Sequence, residues 1–303
     1  MSKVTSLDCH LLTRPRMVTH LALSPDGDRL ALGLAGEGPG GLIEVLSLPG
    51  TDSVAKLETN GGFACRGVAF LSNRTMAFAV QHEMLGNCEL KTVDEGGQPE
   101  RWATYSVDDR IREVVSGGRG QVLAVVGKTV EVWDVAAREV ARSFEGMSPE
   151  VPMRANFDPS GRYLFLSGEE PGWLTCHDLE DHAPLRKWRS PTRIADEVFV
   201  SPDGRLVGLI GEGGQGAFLY DLDSGARVLE AVFHEDTPAD RMVFALDGGG
   251  VVEASSHFRF DPVAHQSLGV ELFRVACCAA ASHAPVYAFG SLDGTVRWMR
   301  EVG

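Results

Sequence analysis

The 303-residue chain lacks most of what would announce a chemistry or a compartment. Its six cysteines, Cys9, Cys65, Cys88, Cys176, Cys277 and Cys278, form no C-x-x-C pair, and the vicinal Cys277 and Cys278 could close only a strained local disulfide. The opening Met1-Ser2-Lys3-Val4-Thr5 leads into mixed polar sequence without the apolar core of a signal peptide. No apolar run approaches the ~20 residues of a membrane-spanning helix. Together these absences predict a protein of the reducing cytoplasm. Basic charge is also scarce: 28 Lys and Arg stand against 42 Asp and Glu, a net charge of −14. That balance opposes binding to nucleic acid or anionic lipid, so neither is expected as a partner. Low-complexity tracts and helical periodicity are missing too, while 44% of residues are hydrophobic, so the chain reads as folded and all-β.

What is present is repetition. Residues 18–33 run as an alternating apolar stretch, the turn Ser24-Pro25-Asp26-Gly27, and a second alternating stretch. The phrase returns at Ser201-Pro202-Asp203-Gly204 and, altered, at Asp158-Pro159-Ser160-Gly161. Weaker copies lie in residues 68–78, 114–124, 242–252 and 279–289. Pro presets one turn dihedral and Gly accepts a positive one, so each copy predicts a β-hairpin. The turns Asp26, Asn73, Arg119, Ser160, Asp203, Asp247 and Ala284 are roughly 37 to 47 residues apart, near the ~40–45 of a propeller blade. Asn73-Arg74-Thr75, which also fits a glycosylation acceptor, is read as one of these turns. A third run follows each hairpin, as at 129–134 and 217–221, and then a more polar fourth, as at 139–144 and 226–233. The last unit stops one strand short at Thr295–Met299, and residues 4–12 supply a spare strand. The fold expected is therefore a single all-β domain over 1–303. It is a seven-bladed propeller of four-stranded antiparallel blades, closed by an N-terminal strand completing the last blade.

Trp133-Asp134 ends a third strand, and His177-Asp178 and Tyr220-Asp221 stand in the same place. With the Ser-Pro-Asp-Gly hairpins, these residues make the whole chain resemble the WD-repeat family. The Gly-His that usually opens such a repeat is absent, and the final unit ends Trp298-Met299, so the family's Asp-His-Ser-Trp hydrogen-bond set cannot be assembled. The resemblance is to a divergent member, and it implies a non-catalytic platform for protein or peptide partners.

Several stretches imitate chemical motifs. Residues 36–41 and 211–216 both match G-x-G-x-x-G, but strands rather than helices follow, so no pyrophosphate cradle forms. Gly127-Lys128-Thr129 resembles a P-loop tail, but the required earlier glycine is Val122. His177-Asp178, Asp181-His182 and His234-Glu235-Asp236 lie at strand ends and outer connections, where solvated loops are the plainer explanation. Asp221–Gly225 is a turn rather than a calcium loop, and no zinc-spaced cysteine set or nucleophile elbow occurs. No catalytic residue, cofactor or metal is therefore expected.

One constellation stands out. Counting back from each hairpin turn reaches the start of each innermost strand, at His20, Arg66, Arg112, Arg154, Glu197, Arg241 and Arg274. In a propeller these positions rim the channel on one face. Arginines converging inside a negative envelope suit bidentate capture of carboxylate or phosphate. Trp173, and with it Phe63, would supply aromatic contact beside them. Two readings stay open: a binding rim, or solvated strand ends paired with Glu113, Asp196, Glu197 and Asp240. The expected function is a non-catalytic scaffold holding a protein or peptide partner, with acidic partners the class that arginines favour. The alternatives are a lactonase-like hydrolase with a metal site in the central channel, and a structural subunit of a larger assembly.

Overall fold

The computed structural model describes residues 6–35, 42–58, 63–82, 86–109, 111–117, 120, 122–147, 151, 153–181, 184–201, 203–211, 216–232, 242–244, 251–253, 258–261, 266–267, 277–281, 284, 286–290 and 295–302. They form antiparallel strands, with no α-helix among the described residues and no helix long and apolar enough to cross a membrane. The strands gather into four-stranded sheets in chain order, the blades of a β-propeller.

The chain divides into two compact units, residues 1–107 with 274–303, and residues 108–273. In the first, β2 (Met17–Leu23), β3 (Arg29–Ala35), β4 (Leu42–Ser47) and β5 (Asp52–Glu58) make one blade. The next comprises β6 (Phe63–Phe70), β7 (Thr75–His82), β8 (Cys88–Asp94) and β9 (Glu100–Tyr105). The same unit holds a composite sheet in which β1 (Ser6–Thr13) pairs with β28 (Thr295–Val302), followed by β27 (Val286–Gly290) and β26 (Cys277–Ala280).

The second unit has four blades. The first two are β10 (Glu113–Gly117), β11 (Val122–Val126), β12 (Thr129–Asp134) and β13 (Glu139–Glu145), then β14 (Arg154–Phe157), β15 (Tyr163–Ser167), β16 (Trp173–Asp178) and β17 (Pro184–Arg189). The others are β18 (Ala195–Val200), β19 (Leu206–Gly211), β20 (Gly216–Asp221) and β21 (Arg227–Val232), then β22 (Met242–Phe244), β23 (Val251–Glu253), β24 (Phe258–Asp261) and β25 (Gln266–Ser267).

The expected seven-bladed propeller, its last blade completed by the N-terminal strand, is corrected to six blades. Six blades are each made from four consecutive strands, whereas the N-terminal strand forms a separate sheet with the last strand of the chain. The reason is local: among the described residues three strands follow residue 276, and the fourth strand of that sheet is β1.

Packing follows from strand alternation. In β15, Leu164 and Leu166 face the preceding blade with Ala124, Val126 and Val130, while Phe165 faces the following blade with Val198 and Leu209. Leu30, Leu32 and Leu34 of β3 likewise pack on Val286, Val296 and Trp298, and Ala31 packs with Val68 and Phe78 on the other side. A second strand is thus covered on both faces and reads as an unbroken apolar run, as in the 76–80 stretch of β7. Each fully buried Leu, Val or Phe contributes about 1.5–3 kcal/mol of hydrophobic stabilisation. Outer strands such as β13 keep most side chains in water.

Candidate functional site

The hairpin turns fix where each inner strand ends. Ser24 Oγ donates to Asp26 Oδ1 at 2.6 Å and accepts from the Arg29 N–H at 2.9 Å. Ser201 repeats this, donating to Asp203 Oδ1 at 2.6 Å and accepting from the Leu206 N–H at 2.8 Å. In the third copy Asp158 replaces the serine and accepts from the Ser160 and Tyr163 N–H groups, at 3.0 and 2.7 Å. Ser24 and Ser201 have no exposed surface, so these are internal staples of the turn. Gly27, Gly161 and Gly204 take φ of 72°, 75° and 69°, the left-handed region that glycine tolerates.

Strand register then places the candidate residues. Bulges interrupt the inner strands between Val18 and His20, Cys65 and Gly67, and Ala195 and Glu197. Counted from the strand end at each turn, His20, Glu113, Arg154 and Glu197 hold one row, opposite Gly33, Val126, Ser167 and Ile210. Arg66, at the β6 bulge, and Arg112, just before β10, hold the row one residue earlier. The described candidates therefore occupy two adjacent rows, and each row mixes charged with uncharged side chains.

Each member has its own surroundings. His20 is half-buried, its Nδ1 3.0 Å from Thr19 Oγ1. Arg66 Nε donates to the buried Gln81 Oε1 at 2.6 Å. Arg112 is exposed, and its main-chain N–H donates to Val126 O at 2.7 Å. Arg154 Nε donates to Asp196 O in the next blade at 2.6 Å, and Asn156 Nδ2 to Val198 O at 3.1 Å, so two side chains of β14 lace it to β18. Glu197 is half-buried within β18. Trp173 begins β16, a third strand rather than an inner one, and is half-buried opposite Arg189. Arg241 and Arg274 lie outside the described residues, as do the glycine-rich segments 36–41 and 212–215, His182 and the 234–236 cluster.

Two buried thiols are not poised for chemistry: burial pushes Cys65 and Cys176 up to about 12. His177 Nε2 meets Glu169 Oε2 at 2.9 Å, and that hydrogen bond holds the Glu169 carboxyl below its ordinary range against the opposing effect of burial. Among the described residues no group of three His, Cys, Asp or Glu side chains could hold a metal ion.

Sequence reasoning missed a set of inter-blade clamps. Arg142 on β13 donates to Asp178 O at 2.9 Å and to Asp181 O, both beyond its own blade. Arg186 on β17 does the same to Leu222 O and, at 3.1 Å, to Asp223 O. A signal existed: each arginine follows the Asp of its third strand, Asp134 or Asp178, by eight residues, with an aromatic two places further on.

No family model matches the chain, and no curated protein matches it in sequence.

Proposed function

We propose that the protein is a non-catalytic scaffold that holds an acidic protein or peptide partner against the inner-strand positions of the second unit led by Arg112 and Arg154. One observation supports this reading: adjacent positions on the same strands are treated differently. Leu21, Val68, Val114, Ala155 and Val198 are uniformly apolar and buried, while the neighbouring row carries His20, Gly67, Glu113, Arg154 and Glu197. The core fixes the first row, and the second is free to differ from blade to blade. A repeated frame presenting unlike side chains at equivalent positions is how repeat proteins recognise other proteins.

The test uses a partner captured from native extract by the full chain, its affinity then measured by interferometry. Arg112→Glu and Arg154→Glu should each weaken it about 10-fold, the scale of one charge-assisted hydrogen bond, with smaller loss at higher salt. Lys187→Glu, on the outer strand β17, should leave it unchanged. Affinity indifferent to both arginine reversals overturns the proposal.

A further inference from the structure

The outer parts of twisted blades splay apart, and the chain closes two of the resulting wedges in the same way. Where β10–β13 meets β14–β17, Phe144 faces His177 of the next blade at 4.6 Å between ring centroids, under the Arg142 guanidinium at 5.9 Å. Where β14–β17 meets β18–β21, Trp188 faces Tyr220 at 6.1 Å, under Arg186 at 5.9 Å. Register makes the two plugs equivalent: Arg142 and Arg186 lie opposite Val132 and Cys176 just after the outer-strand bulge, and Phe144 and Trp188 lie opposite Val130 and Leu174.

In the first unit the same register positions on β5 hold Ala55, opposite Val45, and Leu57, opposite Ile43. Neither arginine nor aromatic is there to fill the wedge between β2–β5 and β6–β9. A cleft of about 590 Å3 remains, floored by Val45, Leu57, Phe70, Met76, Phe78 and Val93. That is within the ~300–1,000 Å3 of a binding pocket. Its rim carries Arg29, Lys56, Arg74 and Lys91 against Asp94 and Glu95, with Lys91 also meeting Glu89 at 2.7 Å and Lys56 meeting Glu44 at 3.7 Å, so the two arginines are its main cations. Glu95 is divided between Arg29 at 2.7 Å and Arg74 at 3.5 Å, so one carboxylate serves two guanidiniums. The Arg74 and Lys56 side chains are 76% and 57% exposed. Beside the cleft runs β5, the outer edge of its sheet.

We propose that this cleft docks an acidic segment of a partner protein. A large apolar side chain of that segment takes the place that Phe144 and Trp188 fill elsewhere, and its flanking carboxylates meet the rim cations. The segment lies extended beside β5, whose outer edge offers main-chain hydrogen bonds. The site is separate from the inner-strand rows and stands or falls independently of them.

A random library of peptides about twelve residues long, long enough to cross one blade edge, is selected on the full chain, and the survivors are measured by fluorescence anisotropy. Enrichment of sequences joining an aromatic or large aliphatic residue to acidic flanks is expected. Ala55→Arg with Leu57→Phe installs the plug of the other junctions and should weaken those peptides at least ~10-fold while retaining the β-sheet circular dichroism. Lys56→Glu with Arg74→Glu, at exposed positions, should do the same by charge reversal, and decides alone if the plugged variant fails to fold. Lys187→Glu, on the outer strand β17, should leave the affinity unchanged. Enrichment of basic sequences, absence of enrichment, or affinities indifferent to the charge reversal would overturn the proposal.

Discussion

Asp178 shows how much one residue carries in a blade. Its Oδ1 accepts from the Glu180 N–H at 3.0 Å, capping the turn into β17, and its Oδ2 accepts from Arg162 Nε and Nη2 at 3.0 and 2.6 Å. Asp134 and Asp221 cap the corresponding turns through Ala136, Ala137 and Ser224. Arg162 beside Asp178 holds that carboxyl below the ordinary aspartate range, and the Ser224 N–H and hydroxyl do the same for Asp221. A depressed folded-state pKa contributes stability above the unfolded value, roughly pH 4 for aspartate, that is lost as pH falls through the folded value. Urea midpoints should therefore be flat near neutrality and decline below about pH 4. Asp178→Asn keeps the cap acceptor but removes the titration, so its acid limb should be shallower; an unaltered limb would count against the ion pair as the cause. These aspartates were legible in sequence, because a third strand ending in Asp before a turn is a local pattern.

Between elements, the tightest constraint is a missing side chain. A Cβ on Gly117 of β10 would stand 2.3 Å from Cγ of Phe157, a ring on β14 that is only 5% exposed. Gly117→Ala must shift that ring or the inner strand, at a cost of about 1–3 kcal/mol from overpacking. Gly50→Ala, whose Cβ would meet only Asp52 Oδ2 at 3.4 Å, should change stability by less than ~0.5 kcal/mol. Phe157→Leu in the Gly117→Ala background should recover part of the loss, a coupling that a double-mutant cycle in guanidinium reads directly. This scale is where the sequence was least legible. Thr19, Arg66 and Asp196 sit at bulges that interrupt the alternation, and nothing in the hairpin pattern marks them, so counting back from a turn slips by one residue between blades. That slip divides His20, Arg154 and Glu197 from Arg66 and Arg112. The plugs were hidden for a different reason: Arg142 and Phe144 act on the next blade, and hairpin periodicity carries no information about that contact.

For the molecule as a whole, the composite sheet ties one end of the chain to the other. β1 pairs with β28 from Ser6 opposite Val302 to Thr13 opposite Thr295, and His10 stacks on the fully buried Trp298 at 3.9 Å between centroids. The neighbouring blade depends on the same strand, since Arg300 Nη2 donates to Gly27 O at 3.1 Å and meets Asp28 at 3.2 Å in the β2–β3 turn. Deleting residues 1–13 would leave β28 as an unpaired edge and uncover Trp298. Open edges of that kind recruit other chains, and the high negative charge opposes such association only at low salt. The truncated chain should melt at lower temperature and form larger species in a concentration- and salt-dependent way, seen by light scattering. A synthetic peptide of residues 4–14 added in trans should restore both, because it returns the register partner of β28 without altering anything else. A truncated chain that stays monodisperse with an unchanged melting temperature would mean that β1 only decorates the sheet. The rest of the first unit would then be stable without it.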